Sequence, residues 1–367
     1  MIGEEQVREA LRQVREPDIG RSVEDLGMLK GVEVDGGTVK VYLMLPLAAS
    51  TSRERLRDEV GAAVGALPGV ERVDVVLAEM TMQEREQVAA RLRSPGNIGA
   101  NPTFFTDGTT TVVAVASGKG GVGKSSVTVN LACALAADGF RVGVVDVDVW
   151  GFSVPRMMGL SGQPTAVGQT ILPLEAHGVK VISMGFFVTE ETPVIWRGPM
   201  LHKAVQQFLG DVYWGELDFL LCDLPPGTGD VSISLASFMP GAQMLVVTTP
   251  QEAARKVAER AGKMAAQTRM LALGVVENMS WYVCPHCGAE ERIFGQGGGE
   301  EAARTLDVPL LGQVPLQPSL REGGDEGRPV VVTQPDSPAG EALIAAAREL
   351  AATSRKMVGR PLKLNVR

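Results

Sequence analysis

Residues 118–125 read Gly118-Lys-Gly-Gly-Val-Gly-Lys-Ser125 and contain four glycines and two lysines. This stretch satisfies the pattern G-x-x-x-x-G-K-[ST], in which glycines let successive backbone N–H groups and a helix N-terminus face a phosphate. The preceding residues, Thr111-Val-Val-Ala-Val-Ala116, are typical of a buried strand, and Ser126 to Ala137 has the composition of a helix. A strand, a glycine loop and a helix in this order predict a binding site for a nucleoside triphosphate.

The two lysines of the octapeptide have different predicted tasks. Lys124 ends the phosphate-binding pattern and is expected to neutralise the β- and γ-phosphates, while the hydroxyl of Ser125 holds Mg²⁺. Lys119 follows the first glycine and has no task inside its own loop. We therefore expect its side chain to reach a nucleotide that a neighbouring subunit holds, as an arginine finger does in trans.

The overall composition excludes several classes of protein. The 367 residues are 45% hydrophobic and carry a formal net charge of -8. General affinity for nucleic acid is not expected, because it rests on lysine and arginine neutralising phosphates. No apolar run approaches the roughly 18 residues of a membrane span, and Glu4 and Glu5 make the N-terminus unlike a signal peptide. The sequence predicts a cytoplasmic protein with neither nucleic acid nor membrane as a partner.

Composition divides the chain into four segments. Residues 1–93 predict a small α+β domain, 94–110 have linker composition, 111–354 form a P-loop ATPase domain and 355–367 are a basic tail. In the third segment strands alternate with helices, which predicts a doubly wound, mostly parallel α/β sheet with functional loops at the carboxyl ends of its strands. The strands expected there are Thr111–Ser117, Arg141–Asp146, Lys180–Met184, Phe219–Asp223, Gln243–Thr248, Leu273–Glu277 and Leu310–Pro315. In the first segment we expect helices at Glu5–Val14, Arg53–Leu67 and Gln83–Leu92, and strands at Thr38–Leu45 and Val73–Leu77.

Acidic residues follow two of the strands in the third segment. Asp146 and Asp148 end one of them, where they are placed to serve Mg²⁺ or an attacking water. Asp223 ends an apolar strand, the form expected of a Walker B residue that holds Mg²⁺. The Pro-Pro-Gly turn after it ends at Gly227, whose backbone N–H is predicted to meet the γ-phosphate in a switch loop.

The four cysteines fall into two classes. Cys133 and Cys222 lie in apolar elements and are expected to be core residues. Cys284-Pro-His-Cys287 has the spacing that lets two thiolates face one metal. Two ligands do not complete a site, so four thiolates require two chains, and the sequence suggests a homodimer with a metal centre on its axis. Spacing alone favours a zinc knuckle, with a redox-active dithiol as the weaker alternative, and His286 is expected to be a bystander.

Taken together, these motifs resemble the Mrp/ApbC family of P-loop ATPases that carry iron–sulfur clusters, within the MinD/ParA-like superfamily. The N-terminal segment resembles the small iron–sulfur assembly domain of bacterial members, through Pro17-Asp-Ile19 and Asp25-Leu-Gly-Met28. Further family-like stretches are Trp196-Arg-Gly-Pro-Met200, Val247-Thr-Thr-Pro-Gln251, Glu277-Asn-Met-Ser280 and residues 315–324.

The resemblance implies a role for each matching residue. Lys119 and Lys124 are the catalytic lysines, and Asp148 is the better candidate to orient water. Cys284 and Cys287 are implied to ligate a 4Fe-4S cluster that bridges two subunits. The implied nucleotide-binding set is Gly118, Lys119, Gly120, Gly121, Val122, Gly123, Lys124, Ser125, Ser126, Gly227 and Asn278, the last resembling a residue that hydrogen-bonds adenine. The implied Mg²⁺ ligands are Ser125, Asp146 and Asp223.

The function implied is that of a homodimeric, slowly hydrolysing, Mg²⁺-dependent ATPase that works with assembly scaffold proteins and transfers its cluster to apo iron–sulfur proteins. One departure concerns the N-terminal domain, where Leu47-Ala-Ala-Ser-Thr51 stands in place of the Cys-Pro of many such domains, so docking is its expected task. A spatial-positioning or partition ATPase is an alternative, although Gly359 and Pro361 interrupt the amphipathic C-terminal helix that membrane-cycling members need. The other alternative is a nucleotide-gated scaffold in which zinc only holds the two subunits together.

Overall fold

The computed structural model describes residues 2–17, 19–46, 52–92, 105, 108–148, 151–187, 198–226, 230–251, 254–284 and 286–357. Most of the predicted linker, the Leu47–Thr51 segment, Gly227 and the tail beyond Met357 lie outside these residues. The chain forms two compact units, Met1–Pro95 with Thr165–Leu172, and Gly96–Pro164 with Pro173–Arg367.

Helices and strands alternate along most of the chain. In chain order they are α1 (Glu4–Leu11), β1 (Leu29–Asp35), β2 (Thr38–Leu45), α2 (Ser52–Gly65), β3 (Arg72–Glu79), α3 (Met82–Leu92), β4 (Thr111–Ser117), α4 (Lys124–Ala137), β5 (Val142–Asp146), α5 (Val154–Met157), β6 (Thr165–Val167), β7 (Thr170–Leu172) and β8 (Leu174–Ala176). They continue with β9 (Val179–Ser183), α6 (Gly198–Gly210), β10 (Phe219–Asp223), α7 (Asp230–Phe238), β11 (Gln243–Thr248), α8 (Ala254–Thr268), β12 (Leu271–Val283), β13 (Glu290–Glu291), α9 (Gly298–Leu306), β14 (Leu310–Leu316), α10 (Pro318–Asp325), α11 (Val330–Thr333) and α12 (Pro338–Met357).

The first unit is built on a three-stranded sheet in the order β1-β2-β3. β1 runs antiparallel to β2, and β2 runs parallel to β3. Every second residue of β2 is buried because successive side chains of a strand point to opposite faces, and α2 buries a stripe at helical spacing. The buried residues are Val39, Val41, Leu43 and Leu45 of β2 and Leu56, Val60 and Val64 of α2. The hairpin of β6 and β7 belongs to this unit although its residues come from the middle of the chain.

The second unit is a large sheet in the order β13-β12-β11-β4-β10-β5-β9-β8, with β14 also paired to β12. Its central pairs are parallel, and the antiparallel pairs lie at β8 with β9 and at β12 with β13. The central strands β4 and β10 are continuous apolar runs because helices cover both faces of such a sheet. This arrangement confirms the predicted doubly wound, mostly parallel α/β fold.

Several elements differ from the predictions. β12 continues past Glu277 to Val283, because its distal part pairs with β13 in a hairpin. α4 begins at Lys124 rather than Ser126, since Gly123 adopts a left-handed conformation (φ 78°) and the helix starts directly after it. β1 was not predicted because a bulge near Gly31 interrupts its alternation. Other predicted elements are present with ends displaced by a few residues. Within the described part of the chain, no helix combines the length and apolar character that crossing a bilayer requires.

Candidate nucleotide and cysteine sites

The glycine loop connects β4 to α4 at the carboxyl edge of the sheet. Gly121 and Gly123 have φ values of 79° and 78°, a region that only glycine enters without strain. A Cβ on Gly120 or Gly121 would meet no atom within 4 Å, so the backbone there is open to an approaching group. The loop borders a cavity of about 460 Å³ that is lined by Ser117, residues 119–126, Asp148, Gly151, Ser153, Met157, Pro225 and Pro226.

Lys124 and Asp223 form a buried ion pair at the start of α4. Their Nζ and Oδ1 atoms lie 2.7 Å apart, and the side chains are only 6% and 0% exposed. The hydroxyl of Ser125 donates to Oδ2 of Asp223 at 2.5 Å, and Thr128 Oγ1 donates to Oδ1 at 2.9 Å. The strand register brings these groups together, because β10 lies beside β4 with Asp223 opposite Val115. A hydroxyl and a carboxylate oxygen that converge in this way are ligands that suit Mg²⁺.

The two acids after β5 have different surroundings. Asp146 is fully buried beside Asp223 in the neighbouring strand, and its Oδ2 accepts a hydrogen bond from Ser183 Oγ at 2.8 Å. Burial, and secondarily the charge of Asp223, raise the pKa of Asp146 well above its ordinary value. Asp148 lines the cavity, and its Oδ1 accepts from the backbone N–H of Gly151 at 3.1 Å. Of the two acids, Asp148 is therefore the one that borders the cavity.

Lys119 lies on the exposed side of the loop. Its Nζ donates a hydrogen bond to Oε1 of Gln251, which follows β11 in the same chain. Its backbone oxygen accepts from Ser117 Oγ at 3.0 Å, and Arg260 donates to the backbone oxygen of Gly118 at 3.2 Å. The backbone of this half of the loop is thus fixed from two sides, while the ammonium group stays at the surface.

Asn278 lies against the glycine loop. Its Nδ2 donates to the backbone oxygen of Val122 at 2.9 Å, and a Cβ on Gly123 would lie 2.2 Å from that nitrogen. The side-chain oxygen of Asn278 is buried and has no hydrogen-bond partner among the described residues. A buried free acceptor beside a phosphate loop suits an amino group of a nucleotide base.

Cys284 and Cys287 share one tight turn after β12. The backbone N–H of Cys284 donates to the oxygen of Ala289, and that of Gly288 donates to the oxygen of Cys284, both at 2.9 Å. Gly288 has a φ of 70°, so the turn requires a glycine there. Backbone N–H groups of Cys287 and His286, followed by the Cys287 thiol, hydrogen-bond the Cys284 sulfur and lower its pKa. A lowered pKa favours the thiolate, which is the metal-binding form.

The turn presents two sulfur ligands rather than a complete metal site. Cys284 is half-buried and Cys287 is exposed. Across the described ranges, no group of three or more His, Cys, Asp and Glu residues is placed to hold a metal ion. Cys133 and Cys222 are buried core residues, as predicted, and burial raises the pKa of both thiols.

Comparison with known proteins identifies the family. The profile described as NUBPL iron-transfer P-loop NTPase matches residues 108–351, more than half of the chain. The chain belongs to this family of iron-transfer P-loop NTPases. Residues 4–75 also match the family described as iron-sulfur cluster assembly protein. The resemblance to P-loop ATPases that carry iron–sulfur clusters is confirmed.

Curated relatives of this iron-transfer NTPase extend over nearly the whole chain. An iron-sulfur cluster carrier protein from Mycobacterium leprae is 48% identical over 366 residues, which cover 98% of this chain and 95% of the relative. The carrier protein of the same description from Bacillus subtilis is 42% identical, with 86% and 89% covered.

Solved structures resemble the nucleotide-binding part of the iron-transfer NTPase. A nucleotide-binding protein from Archaeoglobus fulgidus in complex with ADP has a TM-score of 0.54 and 38% identity, covering 60% of this chain and 88% of that one. The cell division ATPase MinD of Pyrococcus furiosus has a TM-score of 0.50 at 24% identity, covering 66% and 98% of the two chains, which is a likeness of fold alone.

Three polar residues of this NTPase site were missed by the sequence analysis. Thr128 lies one helical turn after Lys124, and this spacing is a signal that could have found it. Ser183 binds Asp146 from β9, and Gln251 binds Lys119 from the end of β11. Gln251 ends the family-like stretch at Val247–Gln251, but that pattern does not predict its contact with Lys119, and no local pattern marks Ser183, because both reach the site only through the order of the strands.

Proposed function

We propose that this chain is a homodimeric, ATP-hydrolysing carrier that holds a 4Fe-4S cluster between two subunits and transfers it to apoproteins. The turn at Cys284 and Cys287 carries the proposal. It presents two thiols side by side, with no further metal ligands grouped beside them in the described residues. A second copy of the same turn supplies the two thiolates that a cluster still needs.

The nucleotide site fits ATP and Mg²⁺. Lys124 is positioned to exchange its contact with Asp223 for the β- and γ-phosphates. Ser125 and Asp223 would then hold Mg²⁺, with Asp146 behind them as a further acid. Asn278 offers its free side-chain oxygen to the adenine amino group. Gly227, the proposed γ-phosphate contact, lies outside the described residues.

Hydrolysis needs a positioned water and a second cation. Asp148 borders the cavity and is the residue proposed to orient the water. Lys119 is proposed to leave Gln251 and reach the nucleotide of the other subunit, so that hydrolysis is slow until two chains meet.

The partners follow from the relatives. A relative that is 48% identical over 366 residues is named an iron-sulfur cluster carrier protein, and a carrier must receive its cargo and pass it on. We therefore propose assembly scaffold proteins as donors and apo iron–sulfur proteins as recipients in the cytoplasm, with the N-terminal unit as a docking domain.

Anaerobic reconstitution with iron and sulfide tests the cluster. We expect a brown protein with about four irons and four sulfides per two chains, and a dimeric mass by light scattering. Cys284→Ser and Cys287→Ser should each lose the iron and the visible absorption, whereas Cys133→Ala, which removes a buried thiol, should keep both. Unchanged iron binding in Cys284→Ser would contradict the proposal. A colourless dimer that contains zinc would favour the scaffold alternative.

A further inference from the structure

The buried side chain of Glu277 connects the two ends of the segment that carries the two cysteines. The segment begins after Glu277 on β12 and returns at the N-terminus of α9, where Gly299 lies. Glu277 is fully buried, and its Oε2 accepts a hydrogen bond from the backbone N–H of Gly299. Its Oε1 accepts a second one from Nε2 of Gln313 on β14 at 2.8 Å. Residues 278–298 therefore form a loop whose two ends are joined through one side chain.

The C-terminal end of this loop, at Gly298 and Gly299, is packed too closely against other residues to accommodate a side chain. We call this end the return of the loop. A Cβ on Gly299 would lie 2.6 Å from the Cβ of Glu277, and one on Gly298 would lie 2.7 Å from the carbonyl group of Pro250. The residue that caps α9, Gly297, has no side chain to accept from the first turn of the helix. Glu277 supplies that acceptor from a neighbouring strand, at a helix end that favours negative charge.

Asn278, the residue after Glu277, contacts the glycine loop of residues 118–125, which is the proposed phosphate loop. Successive side chains of a strand point to opposite faces, so Asn278 faces away from α9. Its Nδ2 donates to the backbone oxygen of Val122 at 2.9 Å. Two adjacent residues of β12 thus join the phosphate loop to the return of the cysteine segment.

We propose that Glu277 is the positioning residue through which the phosphate loop and the cysteine segment act on each other. The inference rests on the proposed function for what the cysteines hold, whereas the connection lies within the chain itself. A nucleotide that moves the backbone at Val122 also moves Asn278, and the carboxylate next to it transmits the movement to Gly299. Without the carboxylate, Gly299 would no longer be tied to β12, and the thiols would be connected to the phosphate loop through the backbone of β12 alone.

Substitutions in the full chain separate this role from a general effect on folding. Glu277→Ala removes both hydrogen bonds of the carboxylate. Glu277→Gln keeps two, because its oxygen accepts from Gly299 while its amide nitrogen donates to Gln313 once that amide turns over. Glu300→Ala removes an exposed acid in the first turn of the same helix and is the matched control.

The readout is alkylation of Cys284 and Cys287 by iodoacetamide, followed by peptide mass spectrometry with ADP or a non-hydrolysable ATP analogue. We expect the wild-type rate to differ between the two nucleotides. Glu277→Ala should raise the rate about tenfold and reduce the difference, because the loop loses both hydrogen bonds that anchor its return at Gly299. ADP binding should persist in this variant. Glu277→Gln and Glu300→Ala should behave as the wild type does.

A wild-type rate that is the same with both nucleotides overturns the proposal, as does a Glu277→Ala protein that keeps the difference in full. If Glu277→Ala does not fold, Gln313→Ala decides the question, since it removes one of the two bonds and must reduce the difference. Alkylation requires no metal. Nucleotide-dependent alkylation in a protein that binds no iron would therefore support this coupling while contradicting the proposed cluster.

Discussion

The carboxylate of Asp223 is held by three side chains in the proposed nucleotide site. Its two oxygens contact Lys124, Ser125 and Thr128 within 2.5 to 2.9 Å. A buried carboxylate is costly unless it is paired and hydrogen-bonded, and these three partners satisfy it. They also fix the direction of its oxygens, so that the residue proposed to hold Mg²⁺ is oriented in advance.

Gly123 is the glycine of the loop that we expect to tolerate substitution least. Gly123→Ala should lower the free energy of unfolding by about 2–3 kcal/mol, because a left-handed alanine is strained and its Cβ would displace the amide of Asn278. Urea unfolding and ADP titration measure the two effects, and both should worsen. Gly120→Ala is the control for stability, since its Cβ enters open space. Equal stabilities for the two variants would contradict the argument.

At the scale of elements, α4 and α12 pack against each other beside the sheet. Asp138 ends α4, and its carboxylate receives two hydrogen bonds from Arg348 of α12, each at 2.9 Å. This fork-to-fork geometry fixes the two helices in register, which a single contact between long side chains would not do. The helix that leaves the phosphate loop is held in this way at its far end.

Asp138→Asn should weaken this contact in a pH-dependent manner. The Arg348 hydrogen bonds lower the pKa of Asp138, so the ion pair stabilises the fold above the ordinary aspartate pKa and the stabilisation disappears as pH falls through the lowered value. We expect a loss of about 0.5 kcal/mol at neutral pH that shrinks below about pH 4. Urea curves at both pH values measure it, with Asp58→Asn, at an exposed aspartate within α2, as the matched control. A loss that is constant with pH would contradict the assignment.

In the molecule as a whole, the carboxyl ends of β4, β5, β10, β11 and β12 lie along one edge of the large sheet, and the described residues with proposed functions lie at this edge. Lys119 and the cysteine turn are the parts that remain at the surface there. We propose that a second copy of the chain completes both, because the turn supplies two of the four thiolates that a cluster needs and Lys119 has no proposed task in its own loop.

Mixing two inactive variants tests whether Lys119 acts between chains. Lys119→Ala should bind ATP without hydrolysing it, and Lys124→Ala should lose ATP binding while keeping Lys119 unchanged. A one-to-one mixture should recover about a quarter of the wild-type rate, because half of the dimers are mixed and each mixed dimer has one complete site. Phosphate release measures the rate. A mixture as inactive as its components would show that Lys119 acts within its own chain.

The phosphate loop, the parallel sheet and the two adjacent thiols of Cys284 and Cys287 could be predicted from the amino-acid sequence. These are local properties, since backbone conformation follows from glycine placement and burial follows from periodicity. The sequence did not reveal β1, whose bulge hides its alternation, or the extension of β12 into a hairpin, whose partner strand has only two residues.

The contacts between side chains of different elements became visible only in the folded chain. Ser183 binds Asp146 because β9 lies beside β5, and Gln251 binds Lys119 because β11 lies beside β4. Glu277 joins two ends of a loop that are 22 positions apart. No spacing along the chain encodes these contacts, because the order and register of strands arise from the packing of the whole sheet.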